Sequence, residues 1–143
     1  MNKKIIGFTA SSFDLLHSGH ITMLQEAKSV CDHLIVGLHD DPSSEHSDKN
    51  TPVQNLMERQ IQLQAVKYVD EIYVYRNESE LYHLIVALPV NLRIIGAEYK
   101  TKKFTGDDLG IEIYYNKRHH NWSTSRLRRL VWKAELSGKN YGV

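Results

Sequence analysis

A single-domain, Rossmann-like α/β fold with a doubly wound parallel sheet is predicted from three observations. Short apolar runs rich in β-branched residues alternate with longer segments of helical periodicity. Runs such as Leu34-Ile35-Val36-Gly37-Leu38 are apolar throughout rather than at every second position, as expected of parallel strands covered by helices on both faces. The length, 143 residues with 41% apolar and 24% charged side chains, suits one domain spanning 1–143 with one core.

Taken in order, the first strand is expected over 4–8, a helix over 21–29, a strand over 33–38, a helix over 54–66 and a strand over 71–75. A helix over 79–88 follows, capped by Ser79 or Asn77 and ended by Pro89. Strands over 92–96 and 111–115 and a last helix over 123–136 complete the βαβ alternation. The polar stretch from His39 to Pro52, which holds Lys49, reads as a surface loop or a lid. In open parallel sheets ligands bind beyond the carboxyl ends of the strands, so chemistry is expected after Phe8, Leu38, Gly96 and Tyr115.

Composition excludes several classes. Cys31 is the only cysteine, which rules out an intramolecular disulfide and fits a reducing cytoplasm. The apolar stretch after Lys4 is too short for a signal-peptide core or a membrane span. A net charge of +1 gives no global reason to expect nucleic acid or a membrane as partner. Locally, Lys117, Arg118, Arg126, Arg128, Arg129 and Lys133 gather near the C-terminus, a pattern that suits phosphates or simply a solvated helix face. No zinc-ligand spacing is present, so His39, His46, His119 and His120 receive no metal assignment.

The chemistry concentrates in Ser12-Phe13-Asp14-Leu15-Leu16-His17-Ser18-Gly19-His20, between the first strand and the first helix. Helix N-terminal N–H groups and the helix dipole make an anion site, Gly19 permits close approach, and His17 and His20 add donors. Such groups suit a phosphorus centre on which charge grows as a phosphate oxygen attacks. That attack needs no covalent enzyme intermediate, in keeping with the lack of a Ser/His/Asp or Cys/His arrangement.

This segment resembles the Phe-Asp-x-x-His-x-Gly-His signature of the cytidylyltransferase-like nucleotidyltransferases. Arg118-His119-His120-Asn121-Trp122-Ser123-Thr124-Ser125 is similar to the family's second signature, Arg-x-x-x-x-Ser-Thr-(Ser/Thr). The resemblance implies that His17 and His20 stabilise the transition state, that Ser12, Phe13, Asp14 and Gly19 support the nucleotide, and that Arg118, Ser123, Thr124 and Ser125 hold its β- and γ-phosphates. Met57-Glu58-Arg59 resembles the family's Glu-x-Arg, with Lys67 expected on roughly the same helix face. Arg59 is thereby expected to brace the triphosphate and Lys67 to bind substrate. Gly96-Ala97-Glu98-Tyr99 looks like the segment that contacts base and ribose, implicating Gly96, Glu98 and Tyr99. Asp14 is expected in structural support or near a metal, Lys49 against the acceptor or the triphosphate, and Mg²⁺ as a companion of the nucleotide rather than in a protein cage.

Within the family, the short length and the Ser-Thr-Ser ending look most like the branch that joins CTP to glycerol 3-phosphate. The branches that use ATP with heptose 1-phosphate, or CTP with phosphoethanolamine, share the same motifs. A homodimer is implied because members of the family commonly pair. Departures from the pattern are Ser11-Ser12 before Phe13, a single loop lysine, Lys49, where two are usual, and Leu81 where a lysine is expected. Two other classes share these features: a nucleotide-binding domain without activity, and a class I tRNA-synthetase-like enzyme. The second lacks a Lys-Met-Ser-Lys-Ser-like segment here and has no room for a tRNA domain.

Overall fold

The computed structural model describes residues 3–138. Five strands, β1 (Ile6–Ser11), β2 (His33–His39), β3 (Glu71–Tyr75), β4 (Leu92–Gly96) and β5 (Glu112–Asn116), form one parallel sheet in the order β3-β2-β1-β4-β5. The helices are α1 (Ser18–Ser29), α2 (Leu56–Gln64), α3 (Glu78–Ala87) and α4 (Thr124–Leu136), with short 3-10 turns at Pro42–Ser44 and Ala97–Thr101. Strand order reverses between β1 and β4, so the crevice expected of an open α/β sheet lies beyond their carboxyl ends.

Side-chain alternation along β2 explains the two layers. Leu34, Val36 and Leu38 pack with Leu24 and Ala27 of α1 and Leu63 of α2. Ile35 points the other way, toward Phe8, Tyr75, and Leu81 and Ile85 of α3. Each such fully buried aliphatic side chain contributes roughly 1.5–3 kcal/mol. The sheet is therefore covered on both faces, and α3 stands on the face opposite α1 and α2.

Element boundaries differ from the sequence expectation where side chains compete with the ladder. The first strand begins at Ile6, because the Ile5 N–H bonds the Asp32 carboxylate and the Ile5 carbonyl accepts from Asp32 and His33. It then runs past Phe8 through Thr9, Ala10 and Ser11, held in register with Val36, Gly37 and Leu38. α1 starts earlier, at Ser18, because His17 caps it. α2 starts later, at Leu56, since the Val53 and Gln54 N–H groups are taken by Asp14 and Asn55 serves as cap. Asn77, one of the two caps expected there, caps α3, and Ser123 caps α4.

None of the residues of α4 is buried within the chain, and Val131, Trp132 and Leu136 stand exposed on it. Among the described residues no helix is long and apolar enough to cross a membrane.

Candidate active site

The turn between β1 and α1 is conformationally costly. Phe13 and Leu15, neither of them glycine, have φ of 49° and 52°, in the left-handed region that costs of order 1–3 kcal/mol per residue. Surrounding bonds hold it. Phe13 is sunk in the core, Asp14 is buried with its two oxygens accepting from Val53 N (2.8 Å) and Gln54 N (3.0 Å), and the Leu15 N–H bonds Gln54 Oε1 at 2.9 Å. Asp14 thus clamps the turn to the segment before α2, the structural role among those expected of it.

What the turn delivers is a pair of oriented imidazoles. His17 caps α1 by accepting the Gly19 N–H at Nδ1 (3.0 Å), and His20 Nδ1 accepts the His17 N–H in return (3.2 Å). This is a capping box made of two histidines. Because each Nδ1 is an acceptor, each neutral ring carries its proton on Nε2. The rings lie 3.9 Å apart. Burial lowers the pKa of His17, helped by His120 and Arg118; burial and the neighbouring His17 push that of His20 down to about 4, against an opposing pull from Asp14. Both are neutral donors near pH 7. Gly19 is required at this spot, since a Cβ there would sit 2.8 Å from His17 Cε1 and 3.2 Å from His120 Cε1.

The N-terminus of α4 comes to the same place. Thr124 Oγ1 lies 3.2 Å from His17 Nε2 and donates to the Asp14 carbonyl (3.3 Å), while Ser123 Oγ accepts the Arg126 N–H. Arg118 Nη2 donates to the Trp122 carbonyl (2.7 Å), and His120 stacks on Trp122 with 4.6 Å between centroids. These bonds fold the segment before α4 over α1, where the Thr22 hydroxyl approaches His120. At the end of β4, Gly96 leads into the 3-10 turn carrying Glu98 and Tyr99; a Cβ on Gly96 would overlap the Glu98 carboxylate.

All of this opens into one cleft of about 1350 Å³ at the carboxyl ends of β1 and β4. Of the residues singled out in the sequence, His17, His20, Ser12, Gly19, Lys49, Gly96, Glu98, Tyr99, Arg118, Ser123 and Thr124 line it. Phe13 and Asp14 lie behind it as support. Ser125, on α4, does not line it.

Two expectations are corrected. Arg59 does not brace a triphosphate: it is 2% exposed, and its guanidinium donates to the carbonyls of Gln54, Ser12, His39 and Asp40. It ties the ends of β1 and β2 to α2. Lys67 lies past the end of α2, which stops at Gln64, so the shared helix face does not exist. The chain at Asp70 already bonds the start of β2 through Leu34, and Lys67 sits at the opposite end of the sheet from the cleft, against Tyr68.

Sequence reasoning missed Arg93, His39 and Lys103, which also line the cleft, and counted Lys117 only as one of a basic cluster. A signal for Arg93 was present: it is the one charged residue inside the otherwise apolar run of β4. Glu45, His46 and Glu78 bring possible ligand atoms within 4.8 Å of one another beside the cleft, but all three have solvent contact and no further donor joins them among the described residues. Around His17 the donor set is N–H groups and cations, which match phosphate oxygens; the two Asp14 oxygens are already engaged. A divalent cation there would depend on the nucleotide for its ligands.

Comparison with known proteins agrees with this geometry. The chain is 37% identical over 111 residues to the bifunctional protein HldE of Campylobacter fetus, covering 77% of this chain and 24% of that protein. It is 35% identical over 127 residues to HldE of Campylobacter jejuni, covering 88% and 27% respectively. The chain thus spans about a quarter of the length of these relatives. Among solved structures, the lipopolysaccharide core biosynthesis protein of Thermoplasma volcanium superposes with a TM-score of 0.67 at 23% identity, over 82% of this chain and all of that one. Pantoate-β-alanine ligase of Francisella tularensis shares the fold at a TM-score of 0.54 and 17% identity, over 100% of this chain and 75% of that one. The cytidylyltransferase-like pattern matches residues 8–130, from Phe8 of β1 into α4, and the chain belongs to the cytidylyltransferase-like family of nucleotidyltransferases.

Proposed function

We propose that this chain transfers a nucleotidyl group from CTP to glycerol 3-phosphate, giving CDP-glycerol and pyrophosphate. A phosphate oxygen of the acceptor attacks the α-phosphorus in line; the new P–O bond forms as the bond to the β-phosphate oxygen breaks, and its electron pair leaves with pyrophosphate. The observation that carries nucleotidyl transfer is the pair of neutral imidazoles, each fixed as an Nε2–H donor at the N-terminus of α1, facing the N-terminus of α4; the choice of CTP and glycerol 3-phosphate rests on the short length and the Ser123-Thr124-Ser125 ending. Neutral donors stabilise growing oxyanion charge without losing a proton to it. Arg118, Ser123 and Thr124 are assigned to the β- and γ-phosphates, and Glu98 and Tyr99 to the nucleoside. Lys49 is assigned to the acceptor or the triphosphate. Mg²⁺ bound to the triphosphate supplies charge neutralisation there.

Similarity to the HldE proteins supports a second reading, with ATP as donor and a sugar phosphate of the heptose 1-phosphate type as acceptor. Pyrophosphate release with Mg²⁺, crossing CTP and ATP against glycerol 3-phosphate, heptose 1-phosphate and phosphoethanolamine, separates the two. Turnover with CTP and glycerol 3-phosphate is expected. Turnover only with ATP and the sugar phosphate establishes the second reading, and nucleotide binding with silence in every combination overturns both. The exposed Val131, Trp132 and Leu136 on α4 support a homodimer through that helix, which light scattering on wild type and Trp132→Glu checks.

A further inference from the structure

The side of the cleft toward α3 is built unlike the side that carries the histidines. Arg93, the second residue of β4, is 6% exposed, yet no carboxylate oxygen lies within 4.0 Å of it among the described residues. Its guanidinium makes one hydrogen bond there, from Nη1 to the Thr105 carbonyl (2.7 Å), and its Nε is buried without a partner. The rings of Phe8 and Phe104 hold it from two directions, each with its centroid 5.6 Å away. The chain closes tightly around it: Gly106, at φ +88°, would carry a Cβ only 3.2 Å from Nη1.

His39 repeats the pattern at the end of β2. Its ring is 5% exposed and stacks on Tyr75 at 4.5 Å, while Nε2 is buried and unbonded. Both residues line the cleft. Two aromatic contacts do not replace the hydration that a buried guanidinium gives up, and orphaned buried donors are rare in folded proteins. Glu78, the acidic group on α3 whose charge acts on both, has Oε2 engaged by the Thr105 hydroxyl (2.6 Å) and Oε1 facing His46. What is missing around Arg93 is an acceptor of hydrogen bonds carrying negative charge.

The histidines, Arg118 and the α4 N-terminus are assigned to the phosphates of the nucleotide and Glu98 and Tyr99 to its nucleoside, which leaves the α3 side for the other substrate. We propose that Arg93, on the wall it shares with His39, forms a subsite for an oxyanion of the phosphate acceptor and determines acceptor affinity. The inference rests on the nucleotidyl-transfer reading. The group bound is either the reacting phosphate or a second phosphate or carboxylate on the same molecule, since the donor chemistry is the same.

The test uses the whole chain and the arginine Nε–H resonances in a ¹H–¹⁵N spectrum, with Arg93 assigned by its loss in Arg93→Lys. Inorganic phosphate, glycerol 3-phosphate and 3-phosphoglycerate are titrated without nucleotide. A saturable shift of the Arg93 signal is expected with at least one of them; tighter binding of 3-phosphoglycerate than of glycerol 3-phosphate identifies a second anionic group, and equal binding the reacting phosphate. Arg93→Lys and Arg93→Met should weaken that binding by about tenfold to a hundredfold and leave CTP and ATP affinity unchanged, which also shows that both variants are folded. An Arg93 signal unmoved by all three probes overturns the proposal, as does wild-type acceptor affinity in Arg93→Lys. A shifted signal in a protein that releases no pyrophosphate leaves the subsite standing and removes the catalytic reading; release with an unchanged acceptor KM in Arg93→Lys does the reverse.

Discussion

Arg59 and Arg93 are both almost completely buried, and their surroundings differ in one respect. Arg59 donates to four backbone carbonyls drawn from three segments, and Arg93 to one. The first is a closed structural node: it fixes where β1 and β2 end, and so where the turn bearing His17 begins. The second is open toward the cleft. Burial of a charge therefore does not by itself identify a functional group; the count of unmet donors separates the two cases.

Substitutions should separate them as well. The largest effect is expected from Arg59→Met, which strands four carbonyls: a loss of about 3–5 kcal/mol in urea unfolding, with activity falling only because folded protein is lost. A stability near wild type would break the comparison on its structural side. Next is His17→Ala, expected to lower turnover by about two to three powers of ten, as when one transition-state donor is removed, with nucleotide binding retained. Near-normal pyrophosphate release would remove His17 from the chemistry.

His20 gives a pH signature of similar size. Its folded-state pKa, about 4, lies below the unfolded value of 6.5, so the unfolded chain binds the proton more readily. Its contribution is fully present above pH 6.5 and is lost as pH falls toward 4, by about 3 kcal/mol at the limit. Histidine NMR titration should place its midpoint well below 6.5, and a midpoint near 6.5 would contradict the neutral-donor assignment. The smallest effect is expected from Arg93→Met, which removes a poorly compensated buried charge and should alter stability by less than about 1 kcal/mol or raise it. A loss as large as that of Arg59→Met would mean that Arg93 is a second structural node.

The parallel sheet, the order of elements and most of the cleft were legible because their signals are local: apolar runs, cap residues, and the His17–His20 and Arg118–Thr124 spacings. Arg59 and Lys67 were misread for a physical reason. Their spacing on a helix says nothing about which carbonyls of β1 and β2 converge on Arg59, or that α2 ends at Gln64, before Lys67. The polar turn after Phe8 was legible as a site but not as strand, because Thr9 to Ser11 are held by pairing with β2 rather than by their own character. The lone charge in the apolar run of β4 marked Arg93 in the sequence, but the wall it shares with His39 became readable only in three dimensions, where residues far apart in sequence meet.

The central claim is that the two walls divide the substrates, and the most direct measurement varies nucleotide and acceptor independently in steady-state pyrophosphate release by Arg118→Lys and Arg93→Lys. Arg118→Lys is expected to raise KM for the nucleotide alone, and Arg93→Lys KM for the acceptor alone. Both constants rising together in either variant would contradict the division.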